Sequence, residues 1–160
     1  MSQSFPPPQQ QPGFPGFVPA PPPAPARDNF TGGLIAALLA AVVCAGVYGA
    51  IVGATRHEIG YAAVAVGFGI GWVSGKVGGR NPALPVLSAV LALGSVYAGQ
   101  LVGEAILAAK ELPLSATDLL IDHFDVVNEI WKADSDFMTF FFFAIAAVAA
   151  FSGSKKGAAA

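Results

Sequence analysis

Twenty consecutive residues at 33–52, GLIAALLAAVVCAGVYGAIV, carry no charged side chain. At about 1.5 Å of rise per residue a helix of that length spans about 30 Å, the thickness of a bilayer's hydrocarbon core. Uncharged runs recur at 60–75, 83–103 and 137–151. Inside lipid only helices and closed barrels satisfy their own backbone polar groups. Nothing in these runs alternates with period two, so helices are expected. The resulting expectation is an all-α membrane protein with four transmembrane helices, at about 33–53, 60–76, 83–106 and 136–153.

Composition agrees. The chain is 54% hydrophobic and 11% charged, against about 25% charged for a soluble domain. A net charge of −2 gives no basic face for nucleic acid. The single cysteine, Cys44, allows no intrachain disulfide and reads as a small apolar packing residue.

Residues 1–27 differ in kind, holding ten of the 13 prolines and no charge before Arg27. Such a segment is expected to be a disordered, cytoplasmic, Pro-rich tail over about 1–30. It is either a docking tail, with Phe14 and Phe17 set among prolines, or a solvated leader without a partner. Residues 154–160 read as a short C-terminal tail.

The stretch GFGIGWVSGKVGGRNP at 67–82 looks at first like a phosphate-binding loop. A P-loop requires G-x-x-x-x-G-K-[ST], but Gly71 to Gly75 is one residue short and Val77 follows Lys76. A dinucleotide fingerprint fails because Ser74 stands where its third glycine belongs. A helix-packing stripe fits instead, because Ala63, Gly67, Gly71, Gly75 and Gly79 recur every four residues. Ala37, Ala41, Ala45, Gly49 and Gly53 repeat the device in the first helix, and Ser95, Gly99 and Gly103 in the third. Small residues let helix backbones approach closely, which drives association in lipid. Lys76 and Arg80 then fall in a tight turn, with an anion or headgroup site as the alternative to a purely topogenic role.

Between the third and fourth runs, Pro113 interrupts the chain and Ser115-x-x-Asp118 resembles a capping box. Leu120, Phe124, Val127 and Trp131 recur with spacing 4, 3, 4, and so do Asp118, Asp122, Asp125 and Glu129. Two residues out of phase, the two sets lie about 200° apart on a helix. An amphipathic extramembrane helix over about 115–132 is expected, its acidic face a candidate docking surface for a protein partner. Four carboxylates beside His123 invite a metal. Calcium, however, prefers loop oxygens, and zinc needs more nitrogen or sulfur ligands than His123 offers. No metal and no cofactor are expected.

Deep charge is nearly missing from the apolar runs. Tyr97, Gln100 and Glu104 form the one candidate polar intramembrane site, either lining a cavity or lying at the water interface. Neither histidine sits in a nucleophilic-triad motif. Five basic residues on the side of the termini against three on the other favour both termini in the cytoplasm.

The segment 61–104, YAAVAVGFGIGWVSGKVGGRNPALPVLSAVLALGSVYAGQLVGE, resembles the core of small bacterial integral membrane proteins. These pair a glycine-rich helix, ended by a basic Gly-Gly turn, with a small-residue helix. The likeness extends over roughly 61–151 and implies a multi-pass architecture in the bacterial plasma membrane, with no activity to carry over. Some members carry a zinc ribbon at the N-terminus, whereas the leader here has no cysteines. The expected function is a non-enzymatic accessory or scaffold subunit, with a membrane-protein partner or a homo-oligomer around it. The alternative is a small oligomeric channel or transporter.

Overall fold

The computed structural model describes residues 28–57 and 59–160; the expectation for the Pro-rich segment 1–27 lies outside them. Every regular element among the described residues is a helix: α1 (Phe30–Thr55), α2 (Gly60–Gly78), α3 (Ala83–Ala108), α4 (Ala116–Ile121), α5 (Phe124–Asp134) and α6 (Phe137–Ala159). Three of these, α1, α3 and α6, are long and apolar enough to cross a membrane.

The four long helices form a bundle in which α1 and α3 run one way and α2 and α6 the other. Glycine spacing sets both parallel pairs. A Cβ added at Gly67, Gly71 or Gly75 would clash with the carbonyl oxygens of Ala146, Ala150 and Ser154, while one at Gly153 or Gly157 would clash with those of Phe68 and Trp72. The α2 and α6 backbones are thus in direct contact over about two turns, as small residues at every fourth position permit. In the α1–α3 pair, Gly49 and Gly53 accommodate Val102 and Ile106, while Gly99 and Gly103 accommodate Tyr48 and Val52. Ser95 Oγ donates to the Ala41 carbonyl at 2.7 Å, adding a polar tie. The backbone oxygen of Ala45 closes on Gly99. The backbones of α1 and α6 stay apart, with α2 and α3 between them. Ala37, Ala41, Ile70, Ala92 and Ala150 make a dry centre where the helices meet.

Outward-facing side chains are apolar as well. Leu39, Val42 and Val43 of α1, Val90 of α3, and Phe140 and Val148 of α6 are all exposed. Cys44 is half-buried with a free thiol and packs against the central cluster.

The ends are built by local signals. Asn29 caps α1, accepting from the Gly32 N–H at 3.1 Å. The Asn29 N–H donates to the Gly78 carbonyl, joining the start of α1 to the end of α2. Gly79, at φ 74° and ψ −145°, turns the chain out of α2 in a region that L side chains rarely adopt. Pro82 stands at the N-cap of α3, and Asn81 Oδ1 accepts from the Ala83 N–H. At the opposite end Lys110 Nζ donates to the Gly53 carbonyl at 2.7 Å, a cation on the C-terminus of α1.

Most ends of the long helices lie within two residues of the sequence expectation, and three features depart further. α1 begins at Phe30 because Asn29 supplies the cap. α6 runs to Ala159, so 154–159 is helix rather than a tail: Gly157 packs on Trp72 and holds it in place. The helix expected over 115–132 is two helices. His123, at φ −128° and ψ 39°, leaves the helical region and breaks the repeat. The break shifts the phase, so Leu119 and Val127 are buried, while Phe124 is exposed and Leu120 only half-buried.

Candidate functional site

The ends of the bundle differ in charge. Where α1 begins, α2 ends, α3 begins and α6 ends, the described side chains include Lys76, Arg80, Lys155 and Lys156 against Asp28. The other end holds α4, α5 and eight of the chain's ten acidic residues.

At the acidic end the four long helices part into a cleft of about 520 Å³. Tyr48 and Val52 of α1, Ala63 of α2 and Val96 of α3 line it along with polar groups, and these four apolar-bodied residues are buried. Arg56 and His57 follow from the end of α1, and Asp134 and Asp136 from the junction of α5 and α6. Gln100 and Glu104, one turn apart on α3, also line the cleft and are only 3% and 7% exposed. Thr139, buried in the first turn of α6, joins them; Asp136 caps that helix, accepting from the Thr139 N–H at 2.9 Å.

α4 and α5 close over one flank of α3. Trp131 Nε1 donates to Gln100 Oε1 at 2.8 Å, and the Trp131 ring meets the Tyr97 ring edge-on with centroids 4.8 Å apart. Tyr97 donates its hydroxyl to Asn128 Oδ1 at 2.9 Å. Leu119 and Val127 pack with Leu101 and Ala105 beneath. Gln100 and Glu104 line the cleft and Tyr97 does not, while Tyr97 and Gln100 meet through Trp131 in the anchor of α5. Trp131, Asn128, Arg56, Asp134 and Asp136 complete the picture. Nothing in the sequence pattern marks the last three, because they meet only once α1 and α6 are placed beside α3.

The acidic stripe stays outside. Asp118, Asp122, Asp125 and Glu129 are all exposed, and none of them lines the cleft. The capping box at the start of α4 is present: Ser115 Oγ accepts from the Asp118 N–H, and Asp118 Oδ2 from the Ser115 N–H. Hydrogen bonds from Ser115, side chain first and backbone second, hold the Asp118 carboxyl below the usual carboxylate range, with a small contribution from the charge of His123. Among the described residues no three histidines, cysteines or carboxylates group as a metal site would require.

The cleft is blind within one chain. Beneath Ala63 and Val96 the bundle is filled by Ile70, Ala92 and Ala150, all fully buried. What the arrangement offers is a polar recess with charges of both signs at its mouth, beside an outward acidic surface held by α5. Comparison with protein families, curated proteins and solved structures returns no match to this chain.

Proposed function

We propose that the chain is a four-span membrane protein that acts by binding, as a non-enzymatic accessory or scaffold subunit. α1, α2, α3 and α6 are its spans. α2, at 19 residues, is about 28 Å long and lies against α6 through backbone contacts at Gly67, Gly71 and Gly75. Basic residues gather at one end, which favours both termini in the cytoplasm of a bacterial plasma membrane. α4 and α5 then lie on the outer side.

One observation carries the binding role. α4 and α5 are anchored from below by Leu119, Val127 and Trp131 and present Asp118, Asp122, Asp125 and Glu129 to water. A fixed surface of one sign suits a partner with a basic face, where opposite charge speeds encounter and sets orientation. Purification in mild detergent tests this. The full chain should retain a stoichiometric partner that is released by salt and lost in the triple variant Asp122→Asn, Asp125→Asn, Glu129→Gln. A partner-free particle would contradict the accessory role.

The cleft favours a second reading, a channel or transporter built from several copies. Gln100 and Glu104 are buried polar groups at the edge of a span, where such groups mark ion or substrate paths. Flux through liposomes that disappears with Gln100→Leu and Glu104→Ala, while assembly persists, would establish it over the first.

A further inference from the structure

At the basic end, a second groove of about 560 Å³ runs between the first turns of α3 and the last turns of α6. Its chemistry changes along its length. Arg80 and Lys155 line one part, while Val86 and Phe151, both exposed, line another. Arg80 has no hydrogen bond or ion pair with any described residue, and Lys155 Nζ rests 4.6 Å over the Phe151 ring. The one acidic side chain described at this end, Asp28, is bonded to Asn81. Ser154, also in the lining, is 1% exposed, and its Oγ has no partner. The first amides of α3 are taken by Asn81, through its side chain for Ala83 and its carbonyl for Leu84. The attraction for an anion therefore comes from the two cationic side chains.

We propose that this groove holds an anionic phospholipid, with its phosphate between Arg80 and Lys155 and an acyl chain along Val86 and Phe151. Two unneutralised cations beside an apolar channel match a molecule that is anionic at one end and hydrocarbon at the other. Basic pockets between spans on the cytoplasmic side hold such headgroups. A free anion would use the cations and leave the apolar part empty. The inference rests on the membrane part of the reading above, not on the accessory role.

The test starts from cell membranes. The full chain, purified from the membrane fraction in mild detergent, is mixed with phosphatidylglycerol or phosphatidylcholine and weighed intact by native mass spectrometry. Phosphatidylglycerol is expected to stay bound preferentially. Arg80→Gln with Lys155→Gln should cut its retention by roughly tenfold or more, since each cation near a membrane surface contributes roughly fivefold. Lys76→Gln with Lys156→Gln removes equal charge outside the groove and should leave retention nearly unchanged. Arg80→Lys with Lys155→Arg should keep binding, which separates lost charge from lost folding. Equal loss in both neutralised pairs, or no preference between the lipids, would overturn the site. So would inorganic phosphate raising thermal stability as much as the lipid does. A chain missing from the membrane fraction would instead contradict the membrane reading itself.

Discussion

At the scale of single residues, the closest tolerances are the glycines between α2 and α6. A Cβ on Gly71 would stand 1.9 Å from the Ala150 carbonyl oxygen, whereas one on Gly69 would meet nothing within 4 Å. Gly71→Ala should therefore destabilise the bundle by about 1–3 kcal/mol through overpacking. Gly69→Ala should be neutral, or stabilise by up to about 1 kcal/mol through helix propensity. Thermal unfolding in detergent separates them, and equal effects would refute the backbone contact. Asp118 makes a second residue-level prediction. Its folded-state carboxyl is held below the ordinary range by Ser115, so the capping interaction is complete above that range and is lost as pH falls through the lowered value. Ser115→Ala should move the Asp118 titration upward when followed by carboxyl NMR, and an unchanged titration would show that the box does not operate. The small-residue stripes were legible in the sequence because a four-residue period survives without neighbours. Their partners on α6, namely Ala146, Ala150, Gly153 and Gly157, were less so, because the run of phenylalanines at 140–143 draws attention to its apolar bulk rather than to its small face.

At the scale of elements, the position of α5 depends on one polar bond inside an apolar contact. Trp131→Phe keeps the ring against Tyr97 but removes the donor to Gln100, whose amide is buried. Leaving that oxygen unpaired should cost about 1–3 kcal/mol. Amide exchange over 124–134 should then quicken while the four long helices stay protected. Exchange rising equally throughout would mean that α5 is not a separately anchored unit. The sequence disclosed an amphipathic segment here but not its break. His123 interrupts a 4, 3, 4 pattern that would continue unbroken on a single helix, and a periodicity argument has no means of registering a one-residue change of phase. The capping box at Ser115 was readable because it is local. The cap at Asp136, through Thr139, is equally local and lies within a sequence dominated by the apolar run that follows.

For the whole molecule, the central proposition is that four helices cross the bilayer, with the acidic cap outside and the basic end inside. Four apolar runs pointed to it, and the cleft did not follow from them: Arg56, Gln100, Glu104 and Asp136 lie on three separate segments that only packing brings together. The decisive helix is α2, at 19 residues the shortest of the four long helices and the one outside the three that are long and apolar enough to cross a membrane. If α2 spans, the loops on either side of it face opposite compartments. Single cysteines at His57→Cys, Arg80→Cys and Asp125→Cys, in a Cys44→Ala background, can be labelled in intact cells with a membrane-impermeant maleimide. His57→Cys and Asp125→Cys should label at once, and Arg80→Cys only after the membrane is opened. Labelling of His57→Cys and Arg80→Cys from the same side would contradict the four-span account.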